Sequence, residues 1–415
     1  MPLEGIRALV LTHAWMGTFC TKLLGLSGAE VIQIEARQRP DGWRMGYAAP
    51  MPEALRQVPT AQHAWNCSGF YNSANLNKQA ITLDLESPEG RDIFRRLVPF
   101  ADVVAENFSS GVMGKLGIDY DSLCAIKPDI ILCSMSAFGA TGRHRDFVGN
   151  GGTMEPASGM SSLLGYEDGQ PLNSGAMYPD PVSGYLGFTA IVTALFHRLR
   201  TGEGQHIDLS MQESNHTLVG DAALEYALTG NVRRRLGNRH MTFAPHGIYP
   251  ARGEEQWVAL AAESEEQWRT LCEIAGHPQW AADARFVDNA QRKANEVPLD
   301  REIAAWTADQ ARDALADQLS EAGVPAAPVL DANEVAADPG FSERGLVQDV
   351  THPEAGTWRQ MAVPYRFSRT PMRVTRPSPV LGEHSAEVFE RYLGIGRAEY
   401  EELVSKGVSG TNPPD

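Results

Sequence analysis

The sequence contains no run of about 18 uninterrupted apolar residues, the length that spans a bilayer, so no membrane partner is predicted. Its first residues set Glu4 and Arg7 around a short apolar run, without the basic leader and long apolar core of a secretory signal, which predicts a cytoplasmic protein. Positive charge is in deficit: 36 Lys and Arg stand against 52 Asp and Glu, for a net charge of −16. That balance argues against a nucleic-acid or anionic-membrane surface. It does not exclude a small anionic ligand held by a few local cations and backbone donors. Cysteine is scarce; Cys20, Cys67, Cys124, Cys133 and Cys272 form no CxxC pair and no His/Cys cluster, which predicts a reducing compartment and no structural metal. There is no GxGxxG, which removes the main support for a nicotinamide enzyme.

What is present is an ordinary globular composition, 43% apolar and 21% charged, in a chain of 415 residues, enough for two domains with their own cores. Arg7 to Thr12 is a strand candidate, followed by a turn through His13 to Gly17, a helix carrying Phe19, Leu23, Leu24 and Leu26, and a second strand at Ala29 to Glu35. This βαβ opening predicts a parallel sheet covered by helices. Further strands are expected at Ile81 to Leu85, Ala101 to Ala105 and Asp129 to Met135, with a helix started by Ser87-Pro88-Glu89 between the first two. Arg39 to Cys67 shows little periodicity and reads as a long surface segment. Glu106-Asn107-Phe108 sits at a strand end, where ligands of open α/β sheets bind.

The stretch from Tyr178 to Gln212 reads as a helix whose inward face is Tyr185, Phe188, Val192, Leu195, Phe196 and Leu199, then a Thr201-Gly-Glu-Gly turn and a strand from His206. Asp180, followed by Pro181, stands just before that helix as an N-cap candidate. Helices are further expected at Leu218 to Leu228, Glu265 to Ala275 and Ala304 to Ala322, a boundary at Gly323 to Pro328, and a weakly periodic linker to Pro379.

These stretches resemble the class III (CaiB/BaiF) CoA transferase family, which includes formyl-CoA and carnitine CoA transferases and α-methylacyl-CoA racemase. The resemblance runs from about residue 3 to 405. It is carried by GIRALVLTHAWMGTFCTKLLGLSGAEVIQIE, NKQAITLDL, ENFSSGVMGKLG, SAFGATG, the stretch around Asp180 and a terminal LGEH. It implies a Rossmann-like large domain with a parallel sheet over 1–229, a smaller α+β domain over 230–325, and a returning linker and C-terminal helix over 326–415. Ring-like subunits in an interlocked homodimer are also implied. By the same resemblance Asp180 is the catalytic nucleophile, which can also cap its helix, and Arg37, Asn75, Lys78, Asn107, Phe108 and Lys115 contact coenzyme A. Trp15, Met16, Ala137, Phe138 and Gly139 border the acyl group. Trp15 replaces the Gln of formyl-CoA transferase-like members, and Lys115 replaces a more usual Arg.

The expected reaction moves CoA from an acyl-CoA donor to a carboxylic acid acceptor through aspartyl anhydride and aspartyl-CoA thioester intermediates, with CoA as substrate and no permanently bound cofactor or metal. An ionised carboxylate attacks a thioester without a separate base. Two alternatives stand beside it. One is an acyl-CoA racemase or isomerase of the same fold, weakened because Asn150 occupies the place of that branch's His and no His lies between His144 and His197. The other is a non-catalytic CoA-binding subunit of a heteromeric transferase. His384 reads as a capping or packing residue.

Overall fold

The computed structural model describes residues 1–414. The chain forms two compact units, one of Met1–Met160, Asn173–Leu224 and Asp338–Asp415, the other of Ser161–Leu172 and Glu225–Ala337. In the first, six strands form one sheet: β1 (Arg7–Leu11), β2 (Glu30–Glu35), β3 (Lys78–Thr82), β4 (Val103–Glu106), β5 (Ile131–Ser136) and β6 (His206–Ser210). Their order is β3-β2-β1-β4-β5-β6 and all pairs are parallel, with Ala8 opposite both Val31 and Val103. The order reverses at β1, and such a switch point leaves a crevice beyond the carboxyl ends of β1 and β4.

Alternation along the strands builds two cores. Leu9, Leu11, Ile32, Ile34, Val104 and Leu132 face one side with Ile93, Phe94 and Phe389. Ala8, Val10, Val31, Val103, Ala105 and Cys133 face the other with Cys20, Leu24, Ile191 and Leu195. On that second side the Met16–Leu26 helix packs along the Pro179–Thr201 helix.

The inward face of the Pro179–Thr201 helix differs from the sequence expectation. Buried there are Asp180, Ser183, Gly184, Gly187, Ile191, Ala194 and Leu195, while Tyr185, Phe196 and Leu199 are 40%, 60% and 83% exposed. The reason is close helix packing. A β-carbon at Gly184 would fall 2.9 Å from the Phe19 ring and 3.0 Å from the Met16 carbonyl oxygen, so small residues, not large ones, face the neighbour.

Three further expectations are corrected. Arg39 to Cys67 is not only surface, because Asp41, Arg44, Leu55 and Cys67 are buried. The stretch to Pro379 is not a bare linker: β10 (Val347–His352) and β11 (Gly356–Met361) form an antiparallel hairpin. The Ala304 to Ala322 helix is two helices, Glu296–Thr307 and Arg312–Glu321. The second unit combines these with the Glu265–Ile274 helix and an antiparallel sheet of β7 (His246–Pro250), β8 (Trp257–Ala261) and β9 (Ala326–Pro328) around Trp268, Phe286, Leu299 and Leu319. Among the described residues no helix is long and apolar enough to cross a membrane.

Candidate active site

The turn between β1 and the Met16–Leu26 helix occupies the switch point and is held from two sides. Asn107, just past β4, donates from Nδ2 to the His13 carbonyl oxygen at 2.9 Å and accepts the His13 N–H at Oδ1 at 2.7 Å. From the other side Asp41 Oδ1 accepts the Ala14 N–H at 2.9 Å. Ala14 is left-handed, with φ 57°. The helix then starts at Met16 with no side-chain cap, so its first N–H groups are free to meet another acceptor.

The Asp180 carboxylate lies near enough to the Met16 N–H for that group to lower its pKa. The helix starts at Pro179, so Asp180 lies inside its first turn and does not cap it, which corrects the N-cap expectation. The first-turn position aims its carboxylate at the turns beside it. Burial, with the residue 7% exposed, raises its pKa to about 6, and backbone N–H groups of Met16 and Gly151 offset part of that rise. Gly151 opens the Gly151–Ala157 helix, where the Asn150 and Thr153 side chains form a reciprocal capping box. The result is a desolvated carboxylate, ionised at neutral pH, flanked by two preset backbone donors. Such a group can attack an electrophilic carbonyl, and the donors can stabilise an oxyanion.

The loop after β5 adjoins this centre. A β-carbon at Gly149 would lie 2.9 Å from that of Ala137, so Ala137 backs the turn that carries Gly151. The Phe138 ring meets His144 and Phe147 at 5.6 and 6.0 Å. Gly139 is left-handed, and the next N–H, of Ala140, donates to Asp208 at 2.8 Å. The Met16 side chain belongs to the core with Cys20 and Ile191, and its backbone N–H is the group that lowers the Asp180 pKa. Trp15 is half-buried, 5.6 Å from Trp43, which in turn lies 5.5 Å from Phe70.

The residues expected at CoA divide into two groups. Asn107 and Phe108 lie at the switch point, with the Phe108 ring 5.9 Å from His13, and Lys115 is exposed nearby in the Val112–Leu116 helix. Phe108 also lines a cavity of about 260 Å³ with Glu106, Tyr120, Ser134, His206 and Asp208, where burial raises Glu106 to about 7.

The other three turn inward. Lys78 is fully buried, its Nζ donating to the Thr18 carbonyl oxygen at 3.1 Å and Asn75 Oδ1 at 2.7 Å, and burial lowers its pKa to about 7. Asn75 donates in turn to the Tyr71 carbonyl oxygen at 3.0 Å. Arg37 donates to the carbonyl oxygens of Ser409, Asn412 and Pro413. His384 accepts the Ala80 N–H at Nδ1 and stabilises β3.

Sequence reading did not single out Asp41, Glu35, Arg44 or Gly151 individually. Asp41 and Arg44 lie in a segment whose lack of periodicity hides them. Glu35 and Arg44 form a wholly buried pair, with Arg44 Nη2 2.8 Å and Nε 2.9 Å from the two carboxylate oxygens. Burial would raise Glu35, but the Arg44 charge holds it down at about 2.

The CoA-transferase family III profile matches residues 3–385. The chain is 34% identical over 396 residues to the succinate–glutarate CoA-transferase of Agrobacterium fabrum, covering 95% of this chain and 97% of that protein. It is 33% identical over 407 residues to the succinyl-CoA–D-citramalate CoA-transferase of Chloroflexus aurantiacus, covering 98% of each. A solved CAIB/BAIF family protein from Brucella suis superposes with a TM-score of 0.83 at 32% identity, covering 94% of this chain and 99% of that one. A match over nearly the whole chain, on a six-stranded parallel α/β fold, places this protein in CoA-transferase family III, an enzyme family that transfers coenzyme A.

Proposed function

We propose that the enzyme moves CoA between two carboxylic acids through Asp180, and that the acids are short dicarboxylates of the succinate class. The observation that carries the mechanism is the buried Asp180 carboxylate set against the Met16 and Gly151 N–H groups. A carboxylate oxygen of Asp180 attacks the donor thioester carbon and the C–S bond breaks, giving a mixed anhydride and CoA thiolate. The thiolate attacks the aspartyl carbonyl carbon, releasing the donor acid and leaving an aspartyl-CoA thioester. The acceptor carboxylate attacks that thioester, and the returning thiolate attacks the acceptor's acyl carbon, which frees Asp180. In the two steps at the aspartyl carbonyl its oxygen becomes an oxyanion, and the Met16 and Gly151 N–H groups stabilise it.

The substrate class rests on relatives named for succinyl-CoA, succinate and glutarate. Asn107, Phe108 and Lys115 meet CoA in this reading. Arg37, Asn75 and Lys78 support the site from within through the contacts described above. The family resemblance further implies a cytoplasmic, interlocked homodimer.

Intact-mass measurement after incubation with succinyl-CoA, glutaryl-CoA and formyl-CoA tests both parts. A CoA-sized adduct is expected on the native protein and none on Asp180→Ala. An adduct on folded Asp180→Ala removes the nucleophile assignment. Faster adduct formation with formyl-CoA than with succinyl-CoA removes the substrate class.

A further inference from the structure

Asp41 lies in the aperiodic segment between β2 and β3, yet it is fully buried. Its Oδ1 accepts two backbone N–H groups, from Ala14 and Trp43, each at 2.9 Å. Its Oδ2 is equally buried and has no hydrogen-bond partner. The residue's own N–H donates to Glu35 Oε1 at 3.1 Å. Around the carboxylate stand Glu35 with its partner Arg44, the His13 imidazole, the Lys78 ammonium and the Tyr71 hydroxyl.

Two unfavourable features therefore coincide at one turn. A buried carboxylate oxygen lacks a partner, and Ala14 adopts a left-handed backbone that a β-carbon disfavours. Such features persist where surrounding contacts over-determine them, and they cluster at functional sites. Here the over-determination is visible. Asn107 grips His13 on both backbone polar groups, Asp41 grips Ala14, and the Thr18 hydroxyl donates to the Ala14 and Trp15 carbonyl oxygens. Two residues beyond Ala14 is Met16, whose N–H lowers the pKa of the Asp180 carboxyl.

We propose that Asp41 is a positioning residue for CoA transfer: by holding the Ala14 N–H it fixes the left-handed turn that aims the Met16 N–H at Asp180. The inference rests on Asp180 as the nucleophile. Asp41 itself touches neither substrate nor Asp180. Its effect runs through the backbone from Ala14 to Met16, a path of two residues. Loss of that alignment removes one of the two donors that favour the ionised nucleophile and stabilise its oxyanion.

The test compares Asp41→Ala, Asp41→Asn, Asp180→Ala and, as a control for plain destabilisation, Ser87→Ala, which removes the cap of the Pro88–Leu97 helix. Asp41→Ala is expected to lower kcat about 10- to 100-fold, with KM for acyl-CoA within about threefold, because a misaligned group acts on the reacting geometry and not on CoA binding. The acid limb of its kcat/KM profile moves to higher pH. Asp41→Asn keeps an amide oxygen for the Ala14 N–H and restores most of the rate. Ser87→Ala lowers Tm and leaves the acid limb in place.

A folded Asp41→Ala enzyme with native kcat and an unmoved acid limb, alongside an inactive Asp180→Ala, overturns the Asp41 role alone. Transfer surviving in Asp180→Ala overturns the nucleophile assignment and the Asp41 role with it. Should Asp41→Ala not fold, Asp41→Asn decides. Near-native kcat supports the role, and a loss as deep as that of Asp180→Ala overturns it.

Discussion

A β-carbon built on Gly151 would lie 1.9 Å from Oδ2 of Asp180. No side chain fits there, and the backbone of Gly151 approaches the carboxylate as only glycine allows. Gly151→Ala is expected to push the Asp180 side chain out of line and lower kcat at least about 100-fold, since misplacement on the ångström scale carries that penalty. Circular dichroism and steady-state kinetics on the same preparation check it. Native turnover in Gly151→Ala contradicts the close approach.

Asp180 also links activity to stability. Burial raises its carboxyl from 3.8 to about 6, so the folded protein holds this proton more tightly than the unfolded chain does. Stability from this group therefore falls as pH rises from about 4 to about 6, and the penalty is fully present at pH 7. A shift of that size corresponds to about 3 kcal/mol. Asp180→Asn is expected to be more stable than the native protein at pH 7.5 by up to about 3 kcal/mol, with the gain vanishing near pH 4. Urea unfolding at the two pH values reads this, and an equal gain at both excludes the linkage. In the native enzyme, kcat/KM for acyl-CoA should fall about tenfold per pH unit below about 6.

The buried pair beneath the turn gives a prediction about folding alone. Arg44→Met leaves the Glu35 carboxylate buried without its cation and is expected to destabilise the protein by about 3–5 kcal/mol. Glu35→Gln with Arg44→Met should recover about half of that or more, because the uncompensated charge is gone. Chemical denaturation of native, single and double variants measures it. A double variant less stable than Arg44→Met would show that the hydrogen bonds matter more than the charge.

The order of strands and helices was legible in the sequence because β1, β2, β4 and β5 are buried runs bounded by turn residues. The face of the Pro179–Thr201 helix was not. Periodicity ranks large apolar residues as inward, whereas the close neighbour at Gly184 demands small ones. Position told a similar story at Asp180. An Asp before a Pro signals a cap, but here Pro179 starts the helix one residue earlier. Asp41 and Arg44 were illegible for a different reason: they are fixed by partners remote in sequence, from Ala14 in the first turn to Pro379, and no local pattern encodes such pairing.

Arg37 places its guanidinium on the carbonyl oxygens of Ser409, Asn412 and Pro413, and its nearest of these partners in sequence is 372 residues away. The side of the sheet formed by β2 and β3 is thus sealed by residues translated at the very end of the described chain, where Thr82 also receives the Gly410 N–H. During synthesis the first strands must wait, unsealed, until that tail emerges. Contacts of such long sequence separation form late and slowly. The stretch from Ser409 to Pro413 therefore closes this side of the sheet only after the strands it seals have been made.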